Sequence, residues 1–200
     1  MNNQKYHMAR PSEFNRNEVL DKAMELFWTK GYFNTSAQDI TEHMGISRSS
    51  IYNTFTDKRM LFIEALRHYI NKESQGLTHA LSQLLPDKKS LEQILEMIVA
   101  NNFLLEKPKG CLVVNSAIEF ANHDDEIKQI IIENVNQVVA DFETFIKAGQ
   151  EQGHFNKSIP AQELAIMIFH QVTALRVTGK IITDRDFFKK HINTILQLFV

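Results

Sequence analysis

The side chains of this sequence that can do chemistry are mostly hydrogen-bond donors gathered over a short stretch. Arg48, Ser49, Ser50, Tyr52, Asn53 and Thr54 follow one another with only Ile51 between them. Arginine can grip guanine, and asparagine adenine, through paired hydrogen bonds, while hydroxyls accept or donate at either edge. A second feature is the lone cysteine, Cys111, with Asn115 and Glu119 following at helical spacing. Catalytic and metal patterns are missing by comparison. No two of the eight histidines stand four residues apart, and neither His-Glu-x-x-His nor Cys-x-x-Cys occurs, so no metal is expected. His123-Asp124-Asp125 reads as a helix cap in a polar loop rather than a metal cluster. A glycine-rich phosphate loop and a Gly-x-Ser-x-Gly elbow are also absent from the sequence. No enzyme and no cofactor are therefore expected. A helical enzyme or a protein-binding scaffold is the rival reading.

The donors must be held on an element that presents them. Thr35 and Gln38 have capping-box spacing, which predicts a helix opening at Thr35. Gly45 sits where that helix must stop and the backbone must turn to positive φ. Ser47 can cap a second helix. Ile40, Met44, Ile46, Ile51 and Phe55 line the inner side of the pair, which leaves the donors outside. This is a helix-turn-helix, a device for laying a helix in the major groove of DNA. Upstream, Leu20, Ala23, Met24 and Phe27 form the stripe of an amphipathic helix closed by Gly31. Downstream, Thr56 can cap another helix.

Composition allows this reading without advertising it. Of the 200 residues, 44% are hydrophobic and 23% charged, as in ordinary soluble globular domains, and the formal charge is −2. Charge is slightly positive over residues 1–60 and slightly negative beyond, so affinity for nucleic acid must come from a few well-placed cations and from pairing of two chains. One cysteine permits no internal disulfide, which fits a reducing, cytoplasmic setting. No apolar run approaches the ~20 residues of a membrane span. The first nine residues are polar and are expected to be disordered.

Residues 10–66 resemble the amino-terminal DNA-binding domain of the TetR family of bacterial repressors. The resemblance is carried by Arg10-Pro11, Ala23, Leu26-Phe27, Gly31-Tyr32, Thr35-Ser36, Asp39-Ile40, Met44-Gly45-Ile46-Ser47, Ile51-Tyr52, Phe55, Lys58, Leu61-Phe62 and Ala65-Leu66. Thr41 departs from the usual alanine at the helix crossing, and Thr54 stands where many members carry histidine. The implied fold is all-α, with a helix-turn-helix domain over residues 10–56 and a ligand-binding and dimerisation domain over 57–200. The implied partners are a palindromic double-stranded operator and a second copy of the chain. Thr35, Ser36, Tyr52 and Lys58 are the expected phosphate contacts, Ser47 the cap, and Arg48, Ser49, Ser50, Asn53 and Thr54 the base-facing set.

The rest of the chain reads as helices over about 57–85, from Ser90 to near Pro108, 111–122, from Asp124 or Asp125 to about 152, 161–182, and from 185 to the end. The helix over 161–182 is apolar almost all round. Either one chain's core absorbs it, or the last two helices pair with those of a second chain in a four-helix interface.

The run Gly110-Cys111-Leu112-x-x-Asn115-Ser116-x-x-Glu119 is similar to a motif of one branch of the family. Phe103, Phe120, Met167 and His170 are expected to wall a pocket beside Cys111, Asn115, Ile118 and Glu119. Cys111 has two readings. One is a small buried hydrophobe. The other is a sensor of oxidants or electrophiles, since a helix amino terminus favours the thiolate. In the branch that the motif resembles, a lysine late in the long carboxy-terminal helix can partner such a cysteine, a position that falls on Lys180. A small-molecule inducer in the same pocket is the parallel expectation.

Overall fold

The computed structural model describes residues 15–103 and 108–199, with only the backbone described at 101–103. The expectations for Arg10-Pro11, the first nine residues and the Phe103 side chain lie outside the described residues. Among the described residues the chain is helical with no strand, in the order α1 (Arg16–Lys30), α2 (Ala37–Met44), α3 (Arg48–Phe55), α4 (Lys58–Gln83), α5 (Lys88–Phe103), α6 (Leu112–Phe120), α7 (Asp125–Glu151), α8 (Ala161–Thr178) and α9 (Arg185–Leu196).

Local chemistry explains most of the boundaries. Gly31 ends α1 at φ 78°, its N–H bonded to the Phe27 carbonyl at 2.8 Å. Gly45 ends α2 in the left-handed region at φ 67°, a conformation that costs glycine least. Ser47 caps α3, accepting from the Ser50 N–H at 3.2 Å. Asp124 caps α7, accepting from the N–H groups of Glu126 and Ile127, and Asp184 caps α9. Pro160 precedes α8, which ends at Thr178 instead of reaching 182.

Three expected caps are displaced by one to three residues. Ser36, not Thr35, opens α2 and forms a reciprocal capping box with Asp39. Thr35 is buried, and its hydroxyl donates to the Gly31 carbonyl at 2.6 Å. Asp57, not Thr56, caps α4, while Thr56 takes φ 65°. Asp87, not Ser90, accepts the Ser90 N–H at 2.8 Å at the start of α5.

Two apolar cores organise the packing. The first joins α1, α2, α3 and the start of α4 to α6 and the start of α7, with Ala23, Phe27, Ile40, Ile51, Phe55, Phe62, Phe120 and Ile127 among its buried members. The second joins α5, α8 and α9 to the later part of α7 through Leu95, Phe142, Leu164, Ile168, Phe188 and Phe199. α4 and α7 run through both, so the amino-terminal head is fixed on the body by continuous rods. Each large buried ring contributes ~3–5 kcal/mol that its removal would forfeit. Among the described residues no helix is long and apolar enough to cross a membrane, and no group of three or more His, Cys, Asp or Glu could hold a metal.

Candidate nucleic-acid interface and buried pocket

Burial decides which way α3 faces. Ile51 and Phe55 are sealed in the first core, so the opposite side of this short helix is outward. Ser47, Arg48, Ser49 and Asn53 are exposed there, and Ser50, Tyr52 and Thr54 are half-buried. Several of these groups already hold one another. Ser47 Oγ donates to Ser50 Oγ at 2.9 Å, and Thr54 Oγ1 donates to the Ser50 carbonyl at 3.1 Å. The Arg48 guanidinium carbon lies 5.7 Å from the centre of the Tyr52 ring, within cation–π range. The result is a convex polar ridge carrying one cation.

The flanks are more committed than the sequence suggests. Thr35 is turned into the head and offers nothing outward. Ser36 is exposed, but its N–H and its hydroxyl both donate to Asp39 Oδ2, each at 2.8 Å. Lys30 pairs with Asp39 at 2.6 Å, and this bond, with the Ser36 donors, holds the Asp39 carboxyl well below the usual carboxylate range. Lys58 rests its ammonium 4.2 Å from the centre of the Tyr32 ring. Partial burial there pushes its pKa below the usual lysine value, and the charges of Glu119 and Asp39 oppose that shift.

Behind the head, α4, α5, α6, α7 and α8 line a cavity of about 430 Å³. Its walls are largely apolar, including Ile70, Val113, Ala117, Val135, Val138, Phe142, Phe169 and Val172. A polar cluster of Tyr69, Glu73, Cys111 and Arg176 also lines it. Arg176 donates to Cys111 Sγ at 3.2 Å and to Glu73 Oε2 at 2.7 Å. Burial opposes the Arg176 charge, but Cys111, Tyr69 and Glu73 outweigh it and keep the guanidinium protonated. Burial, with the neighbouring Cys111, pushes the Tyr69 phenol well above its ordinary value. Trp28, the chain's single tryptophan, meets Tyr69 edge-on at 5.0 Å, with the Lys109 ammonium 5.4 Å from its ring.

Among the described residues, only Cys111 of those expected at the pocket lines this cavity. Asn115 turns back, donating to the Lys109 carbonyl at 3.1 Å, and Lys180 approaches Asn115 Oδ1 at 3.5 Å from an exposed position. The cation at the cysteine is therefore Arg176, one helical turn before Lys180. Phe120 belongs to an aromatic cluster with Tyr32 and Phe62, both 5.0 Å away. Met167 packs on the second core, and His170 is exposed beside Phe169. Ile118 is 78% exposed. Glu119 reaches the head instead, accepting from the backbone N–H groups of Tyr32 at 2.8 Å and Phe33 at 3.2 Å.

Comparison with known proteins follows the same division. Residues 19–65 match the family model of bacterial regulatory proteins of the tetR family. Residues 88–195 match the tetracyclin repressor-like C-terminal domain. The HTH-type transcriptional regulator YezE of Bacillus subtilis (strain 168) is 29% identical over 96% of this chain and 99% of its own. The HTH-type transcriptional repressor ComR of Escherichia coli (strain K12) is 35% identical over 60% of this chain and 57% of ComR. Among solved structures, a cysteine mutant of the TetR family transcriptional regulator CifR, complexed with double-strand operator DNA, superposes with a TM-score of 0.83. It is 26% identical and covers 94% of this chain and 98% of CifR.

Proposed function

The chain belongs to the TetR family of bacterial transcriptional regulators, and from that premise we propose that it is a repressor whose two copies grip a palindromic operator. The observation that carries this reading is the outward ridge of α3, with Arg48, Ser49 and Asn53 exposed over a core anchored by Ile51 and Phe55. Arg48, Ser49, Ser50, Asn53 and Thr54 read base edges, while Tyr52 and Lys58 hold phosphates. Ser36 offers a third phosphate contact, and Thr35 offers none because its buried hydroxyl donates to the Gly31 carbonyl.

Pairing of two chains meets a physical need. One short helix makes few contacts, whereas two place recognition helices on successive major-groove faces, ~34 Å apart. Support comes from apolar side chains left exposed on or near the last two helices: Ile166, Val177, Ile181, Phe187 and Leu198. The α8 residues Leu164, Ala165, Ile168, Val172 and Leu175 are taken up by the chain's own core. The operator complex of CifR supports a duplex as partner.

The signal acts at the cavity. A flat apolar molecule fits its walls, and Cys111 beside Arg176 gives a second reading in which an oxidant or electrophile modifies the sulfur. The second reading places the chain in the cysteine-bearing branch of the family. Retardation of a duplex from the chain's own upstream region tests the first claim. Wild type should shift it, and Arg48→Ala should not at the same concentration. A wild-type chain that ignores duplexes at low salt overturns the reading. For the signal, Cys111→Ser should stay bound when hypochlorite or a quinone releases wild type, and equal release assigns the response to the cavity alone.

A further inference from the structure

The geometry points to Glu119 as the positioning residue that fixes the angle of the DNA-binding head on the body, and so the spacing at which two heads meet an operator. This inference rests on the operator-binding reading above. Its basis is a pair of clips between α6 and the head. At one end of α6, Lys109 pairs with Glu25 of α1. At the other, the Glu119 carboxylate accepts the N–H groups of Tyr32 and Phe33, which lie 87 and 86 residues away. The backbone comes this close because position 31 is glycine. A Cβ on Gly31 would stand 2.7 Å from Glu119 Oε1, and its φ of 78° suits glycine besides.

The two clips make α6 and α1 one body. Residues of α6 that wall the cavity, Val113, Val114 and Ala117, share a single short rod with Glu119. Carboxylate-to-amide bonds are charge-assisted and directional, which suits a latch that sets orientation. Tyr32 and Phe33 begin the connection from α1 to α2, so their amides fix where the helix-turn-helix hangs. Phe120, next to Glu119, seals the same junction against Tyr32 and Phe33.

The test compares wild type with Glu119→Ala and Glu119→Gln, each checked for an unchanged helical signal. Hydrogen exchange on the protein alone should show the Tyr32 and Phe33 amides exchanging about tenfold faster or more in Glu119→Ala. Glu119→Gln, which retains an acceptor oxygen, should restore most of the protection. Binding is then measured to a duplex selected by wild type from a random pool, and to the same duplex with one base pair inserted between its half-sites. Wild type should lose affinity sharply on insertion. Glu119→Ala should lose about tenfold less, and Glu119→Gln should resemble wild type. Unchanged amide exchange in Glu119→Ala overturns the proposal, as does a penalty for the inserted pair as large in Glu119→Ala as in wild type. A wild-type chain that selects no duplex refutes the operator reading itself, and the amide rates then decide the latch.

Discussion

Arg176 donates from Nη1 to the sulfur of Cys111 at 3.2 Å, tying α8 to the residue that opens α6. Reactive cysteines sit in electropositive surroundings, and here Arg176, which also donates to Glu73 at 2.7 Å, supplies the positive charge at the sulfur. Arg176→Gln should slow alkylation of Cys111 by iodoacetamide about tenfold, while Lys180→Ala should change it less than about twofold. Cys111 is the only cysteine, so mass spectrometry of the intact chain reads the rate directly. Slowing by Lys180→Ala with little change in Arg176→Gln would return the role to Lys180.

Arg48 and Lys58 should fail in different ways. Arg48→Ala should cost about 1–3 kcal/mol of operator affinity and relax the preference at one base pair. Lys58→Ala should weaken all duplexes alike and reduce the salt slope by about one. Titrations at several salt concentrations against matched and substituted duplexes separate the two.

Gly149, buried in α7, leaves no space for a side chain. A Cβ there would collide with the Phe155 ring and the Pro86 carbonyl. Gly149→Ala should destabilise the body by about 1–3 kcal/mol despite the better helix propensity of alanine. Thermal melting should show a drop of several degrees. An unchanged or raised midpoint would mean that the Phe155 loop moves aside freely.

Asp124 links the α6–α7 connection to α4 by accepting from Arg59 at 2.6 and 2.9 Å. That bond, aided by the Ile127 and Glu126 N–H groups and opposed by burial, lowers the Asp124 pKa. A carboxylate depressed in the folded state contributes stability above its unfolded value, ~3.9, and loses it as pH falls through the lower folded value. Arg59→Met should therefore lower the melting midpoint at pH 7, and the deficit should shrink below about pH 3. A deficit of constant size across that range would assign the effect to packing.

The sequence carried the helix-turn-helix because its signals are local. Gly45 and Ser47 act on neighbours one turn away, and Ile51 and Phe55 have no alternative to burial. The failures are of another kind. Thr35 and Ser36 both have capping chemistry, and the Gly31 carbonyl four residues back, freed by the turn that ends α1, took the first. Arg176 lies in the last turn of a helix apolar nearly all round, where no polar stripe reveals its rotation, and Lys180 falls just past its end at Thr178. Met167 and His170 missed the cavity for the same reason. Glu119 was legible as part of a motif but not for its bonds to the head, since its partners Tyr32 and Phe33 lie 87 and 86 residues back in the connection after α1. The cavity itself is space that side chains leave unfilled, and no residue pattern encodes it.

The solitary indole of Trp28 stands one side chain away from the sulfur, with Tyr69 between them. Its emission is therefore a built-in optical gauge of the regulatory body, read from within the head. Effectors can be screened by watching intrinsic fluorescence in unlabelled protein, before any operator is known.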